Sequence, residues 1–146
     1  MTDRDQRLTF VILWLFALFN YIYGDIGMIF SLFVSPEHNR SMSAALKNVI
    51  DWGTRPYGTS VWLDKPGAVI GTSSGAVGTA AAQSHLRSVL TSLGIALMGR
   101  PEAYVVFKDT LMDGSDTVTD EALRKQLAFY VDAFSGWIAR VSSQRA

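Results

Sequence analysis

The chain reads as an α/β layer fold with parallel strands. Two apolar runs, residues 28–34 and 68–70, each end in a polar turn marked by proline or glycine. The first turn sits in Phe33-Val34-Ser35-Pro36-Glu37-His38-Asn39-Arg40-Ser41, the second in Gly71-Thr72-Ser73-Ser74-Gly75-Ala76-Val77-Gly78. Helical periodicity starts directly behind each. The first run is rich in apolar residues and does not alternate, which suits a strand buried on both faces of a parallel sheet. Strand and helix patterns alternate through three such units, which is the signature of a layered parallel fold. Ligands of such sheets bind in the loops at the carboxyl ends of the strands. These two loops are therefore the expected ligand site.

Pro36 ends the first strand. Met42, Leu46, Val49 and Ile50 then fall at i, i+4, i+7 and i+8, one face of a helix. Gly53 and Pro56 end that helix, and residues 54–66 form a loop carrying Tyr57 and Trp62. The second strand is Ala68-Val69-Ile70, bracketed by Gly67 and Gly71. A helix over about 76–93 presents Ala82, Leu86, Val89, Leu90 and Leu93, and Gly94 closes it as the C′ residue. Ile95-Ala96-Leu97-Met98 and Ala103-Tyr104-Val105-Val106-Phe107 together supply a third strand, split by Gly99 and Pro101. Residues 108–118 are polar loop. Thr119 is the expected N-cap of the last helix, with Asp120 and Glu121 in the first turn, where the helix dipole favours acids. Leu123, Leu127, Tyr130, Val131, Phe134, Ile138 and Val141 form its apolar stripe. Phe134 and Trp137 read as core or subunit contact, and His85 as a helix-surface or interface residue.

Composition narrows the function classes. At 146 residues the chain is one domain, or one domain with an appendage. It has 13 basic and 13 acidic residues and shows no basic stripe, so nucleic acid is not an expected partner. It has no cysteine and two histidines, which excludes a disulfide framework and leaves too few ligands for a Cys/His zinc site; no metal is expected. The loop 71–78 is not a nucleotide P-loop, because no Gly-Lys-Ser/Thr ends it.

The amino-terminal segment differs in kind. Residues 8–24 carry no charge. As a helix they would reach roughly 25 Å at about 1.5 Å per residue, the short end of a membrane crossing, which takes ~17–25 residues. Trp14, Tyr21 and Tyr23 suit the headgroup level. The alternative is a buried or oligomer-forming helix, since a segment apolar nearly all round is no ordinary surface helix. A signal peptide fits poorly, for want of a small-x-small cleavage site. Arg4 and Arg7 before the segment balance Arg40 and Lys47 after it, so orientation stays open. The residues Leu13-Trp14-Leu15-Phe16 and Phe19-Asn20-Tyr21-Ile22-Tyr23-Gly24-Asp25 resemble the start of a family of small multi-helix membrane proteins. The expected organisation is an apolar helix over 1–30, a membrane span on the first reading, followed by an α/β domain over 31–146.

From about residue 33 to 141 the chain resembles the carboxyl-terminal part of the NAD(P)H-dependent FMN reductases, the flavodoxin-like family that includes chromate and quinone reductases. The resemblance is carried by Ser35-Pro36-Glu37-His38-Asn39-Arg40-Ser41, Ala45-Leu46-Lys47-Asn48-Val49-Ile50-Asp51-Trp52, Arg55-Pro56-Tyr57-Gly58 and Lys65-Pro66. It continues in Gly71-Thr72-Ser73-Ser74-Gly75-Ala76-Val77-Gly78-Thr79-Ala80, Gln83-Ser84-His85-Leu86-Arg87 and Pro101-Glu102-Ala103-Tyr104. It implies a flavodoxin-like sheet, FMN and NAD(P)H as cofactors, and hydride transfer from nicotinamide to flavin and on to a small-molecule acceptor such as a quinone. It implies that Pro36, Glu37, His38, Asn39 and Ser41 border the flavin ring on one side and Ser73, Ser74 and Gly75 on the other. It requires no side-chain acid–base pair, so no catalytic residue is expected. It also implies a homo-oligomer. The expected location is the membrane with the reductase domain on the cytoplasmic side, or the cytoplasm. The sequence departs from the family in two ways: position 38 is His where Tyr is usual, and nothing in residues 1–30 resembles the family's first strand and phosphate-binding loop. A membrane-tethered, non-catalytic fragment is the rival expectation.

Overall fold

The computed structural model describes residues 31–113 and 117–144. In chain order these form β1 (Ser31–Val34), α1 (Ala44–Trp52), β2 (Pro66–Ser73), α2 (Ala80–Ser92), β3 (Ala96–Leu97), β4 (Tyr104–Val106), a 3-10 turn (Asp109–Leu111) and α3 (Glu121–Ser143). Every strand pairing is parallel, and β2 is the centre of the sheet. β1 runs beside it from Ser31↔Gly67 to Val34↔Ile70. β3 pairs with the start of β2 at Pro66 and Gly67, and β4 with its end at Gly71, Thr72 and Ser73. The split third strand is thus two short strands on one central strand.

Alternate strand residues face opposite sides of a sheet, and here each side has its own core. Phe33 and Val69 meet Leu46 and Ile50 of α1 and Leu86 and Leu90 of α2, with Trp62 and Ile95. Leu32, Ala68 and Ile70 point the other way, toward Tyr130, Phe134, Trp137 and Ile138 of α3. Both large polar-tipped rings of α3 are tied to the sheet: the Tyr130 hydroxyl donates to Val69 O at 2.7 Å and Trp137 Nε1 to Ala96 O at 2.8 Å. The tips satisfy carbonyl groups while the rings bury apolar area, as buried Tyr and Trp require.

Several boundaries differ from expectation for identifiable reasons. The second strand extends to Pro66–Ser73, so Gly67 and Gly71 lie inside it rather than bracketing it. Close approach explains both: a Cβ on Gly67 would stand 2.6 Å from Ile95 Cγ2, and one on Gly71 would overlap the Ser35 carbonyl oxygen. Helix α2 starts at Ala80 rather than near 76, because Gly78 at φ +59 interrupts the helical course. Gly94 has φ +76 just past α2, as a C′ glycine should. Gly53 caps α1 in ordinary right-handed geometry; it is needed because the Trp62 indole occupies the space of a Cβ. That indole is 3% exposed and donates to Ile50 O at 2.8 Å, binding the α1 end to the following loop. The N-cap of α3 is Asp120, not Thr119: the Asp120 carboxylate accepts from Leu123 N at 2.7 Å. Val131 is 53% exposed and leaves the apolar stripe, one residue round from buried Tyr130. The expected polar loop 108–118 contains the 3-10 turn and a Met112↔Val118 bridge.

The apolar helix expected over 1–30, its membrane span and its likeness to a membrane-protein family lie outside the described residues. Among the described residues no helix is long and apolar enough to cross a membrane.

Candidate functional site

The loop after β1 is built by backbone geometry. Ser35 N donates to Ile70 O at 3.1 Å, extending the ladder one residue past the strand, and Ser35 is buried. Three residues later the chain reverses. His38 and Ser41 exchange backbone hydrogen bonds at 2.9 Å in both directions around Asn39 at φ 48 and Arg40 at φ 64. Positive φ at both central positions is type I′ turn geometry. Asn tolerates it, whereas Arg does so at a cost of about 1–2 kcal/mol. His38, Asn39 and Arg40 are exposed, with the Asn39 side chain presented at the turn tip.

The loop after β2 turns on its own side chain. Ser73 Oγ accepts from Gly75 N at 3.2 Å, and Gly75 O accepts from Gly78 N at 2.9 Å. Ser73 O is held by Phe107 N at 2.9 Å. Ser74 and Gly75 are exposed. Gly78 closes the loop, where a Cβ would press on the Tyr104 backbone at 3.3 Å.

The two loops are tied together at the start of α2. The Glu37 carboxylate crosses from the first loop and accepts from Ala81 N at 3.0 Å and Ala82 N at 3.1 Å through the same oxygen. Thr79, the N-cap residue, makes no capping bond from its side chain. Instead its hydroxyl accepts from Gln83 Nε2 at 2.7 Å, and the same Gln83 nitrogen donates to Ala103 O at 2.7 Å. Ser41 Oγ lies 3.2 Å from His85 Nδ1 of α2, a second tie between loop and helix. His85 is exposed on the helix surface. Below them Gly71 brings β2 against the Ser35 carbonyl. The eight residues expected at the site thus stand on two adjoining loops at the carboxyl edge. Glu37 and Ser41 point their polar atoms into the α2 helix, while Asn39, Ser74 and Gly75 are exposed.

These loops suit a ligand with a flat, polar rim. Among the described residues, the backbone amides of Asn39, Arg40 and Ser74 meet no acceptor, so donors remain for such a rim. A cavity of about 260 Å³ opens beside them on the α3 side. Val34, Ile70, Val105, Phe107, Met112 and Leu127 are among its walls; among the described residues Thr72 supplies the one polar side chain, and no charged group lines it. The described walls offer apolar surface and no cation for a phosphate. No cluster of metal ligands occurs among the described residues.

Sequence reasoning missed the closest structural supports. Gly71 read as punctuation, yet it is the point of contact between loop and strand. Gln83 carried no signal of its own, since a polar residue on a helix ordinarily faces solvent; here it is 1% exposed.

Comparison with known proteins places the arrangement. The profile of the family described as NADPH-dependent FMN reductase matches residues 30–110. A 2-hydroxy-1,4-benzoquinone reductase from a Burkholderia species is 50% identical over 107 residues, covering 73% of this chain and 58% of the relative. A quinone reductase of Pseudomonas putida is 45% identical over 107 residues, covering 73% and 57%. The solved structure of FerB, a flavoenzyme NAD(P)H:(acceptor) oxidoreductase from Paracoccus denitrificans, superposes with a TM-score of 0.71 at 46% identity, covering 75% of this chain and 60% of that one. The sheet and its flanking helices are therefore of the flavodoxin-like α/β kind. The chain spans a little under two thirds of the length of these relatives.

Proposed function

This chain belongs to the NADPH-dependent FMN reductase family, and on that footing we propose that it carries the flavin-ring site of an NAD(P)H:quinone oxidoreductase. The observation behind the proposal is the pair of adjoining loops, interlocked through Glu37 and presenting free amides at one edge of a parallel sheet. When bound, FMN supplies the hydride chemistry; the protein supplies placement and electronics. Residues 36–39 would lie along the polar pyrimidine edge, with backbone amides and the Asn39 side chain as its partners. His38 flanks that edge with a smaller ring than the tyrosine usual in the family. Ser73, Ser74 and Gly75 close the opposite side. Ser41 supports the turn through His85. A quinone is the acceptor class suggested by the relatives' names, and NAD(P)H the donor.

Among the described residues that line the neighbouring cavity none is cationic, so that cavity offers no charged hold for the FMN phosphate. That observation supports two further parts of the reading. A second copy of the chain completes the site in a homo-oligomer, or the chain is a non-catalytic fragment. Colour separates them. Protein that stays yellow after unbound FMN is removed by gel filtration, and then oxidises NADH or NADPH in the presence of 1,4-benzoquinone, supports the reductase. Protein that leaves the column colourless after incubation with FMN supports the fragment. Membrane attachment through residues 8–24 rests on composition, and recovery in the supernatant without detergent overturns it.

A further inference from the structure

We infer that Glu37 is a positioning residue, a clamp that sets the gap between the two loops, rather than a group that touches the cofactor. The inference rests on the flavin reading of the site, and it reassigns a residue which the family resemblance places at the ring edge.

The amino end of a helix leaves backbone N–H groups without intrahelical partners, and a carboxylate is their best acceptor. A side chain from the N-cap position ordinarily supplies it. In α2 the N-cap Thr79 has its hydroxyl committed to Gln83, so the local cap is missing. Glu37 takes its place from 44 and 45 residues away in sequence, with one oxygen on both Ala81 N and Ala82 N. Its side chain is 7% exposed, and the second oxygen lies 3.7 Å from Arg40 of the same turn. The link joins the two loops. Glu37 stands between Pro36 and the Asn39–Arg40 turn, while the amides it holds lie in the first turn of α2, the helix that the loop of Ser73, Ser74 and Gly75 leads into. Two backbone donors hold one carboxylate oxygen, and the side chain that carries it is almost wholly buried. The carboxylate is thus spent on fixing the first loop to the second, and the donors facing the cofactor are left to Asn39 and the free amides. The same contact occupies the positive end of α2, so a cofactor phosphate cannot use it as an anion site.

The test compares wild type, Glu37→Gln and Glu37→Ala by amide hydrogen exchange and by FMN titration followed through flavin fluorescence. Gln keeps an acceptor oxygen and loses the charge; Ala loses both. In Glu37→Ala the Ala81 and Ala82 amides should exchange at least about tenfold faster, and FMN affinity should fall by about tenfold or more, the scale of one charge-assisted hydrogen bond. The amides of Leu86 and Leu90 should keep their protection, showing that the fold is intact. Glu37→Gln should recover part of both effects. Unchanged exchange at Ala81 and Ala82 overturns the clamp. Faster exchange with unchanged FMN affinity overturns the positioning role and leaves the flavin reading standing. A folded wild type that takes up no flavin, with the predicted exchange pattern present, overturns the flavin reading and the positioning role together.

Discussion

Gly71→Ala is the most informative single change to the scaffold. The backbone of Gly71 is not in the left-handed region, so alanine meets no conformational penalty there. The obstacle is space alone. The new Cβ would overlap the Ser35 carbonyl oxygen and stand 2.9 Å from Thr79 Oγ1 and 3.1 Å from Thr79 Cγ2. Ser35 is held to β2 by its bond to Ile70 O, and Thr79 opens α2, so none of the three can swing away as a free side chain does. Relief needs a backbone shift of about 1 Å, which places the cost near the upper end of overpacking penalties, about 3 kcal/mol. With a urea dependence of ~2 kcal/mol per molar, the midpoint should fall by about 1.5 M. The same shift parts the two loops, so FMN affinity should fall with stability. Gly75→Ala is the control: its Cβ would find only Ser73 Oγ at 3.5 Å, and the change should stay within about 0.5 kcal/mol. The assay is equilibrium urea unfolding followed by tryptophan fluorescence. A Gly71→Ala midpoint equal to that of Gly75→Ala would refute the claim that close backbone contact joins loop to strand.

Other outcomes follow from the same geometry. Asp120→Ala should cost ~1 kcal/mol by loss of the α3 cap, while Thr119→Ala should leave urea unfolding unchanged within error. Burial, outweighing the nearby Arg87 charge, raises the Tyr130 hydroxyl above its ordinary pKa of 10.0. The unfolded chain therefore gives up that proton first. The associated stability is whole below pH 10 and is lost as pH rises through the native value. Tyr130→Phe should lower stability at neutral pH by about 1 kcal/mol and flatten the alkaline fall, which unfolding curves at several pH values will show.

How much was readable in advance depends on whether a feature is local. The apolar run of β1, the helices behind each loop and the C′ role of Gly94 are set by neighbours in sequence, and they appear where expected. The lengths of β2 and α2 are not, because Gly67 and Gly71 mark contacts with Ile95 and Ser35 rather than strand ends, and Gly78 at φ +59 delays the helix. The choice of Asp120 over Thr119 turned on which of two good caps reached Leu123 N. Val131 fits a generous helical stripe, but α3 buries one narrow side, with Tyr130 and Phe134 on it. At the site, the loops were visible as motifs. The link from Glu37 to Ala81 and Ala82 spans more than forty residues and leaves no trace in spacing.

The proposed site requires that both loops bind one flat ring. Backbone amide NMR shifts recorded during titration with riboflavin, which has the ring and no phosphate, test it most directly. Saturable shifts are expected at residues 37–41 and 73–75 together, at one common affinity, with the same amides responding to FMN. Shifts confined to one loop, or centred on the exposed Trp52 and Tyr57, would contradict it.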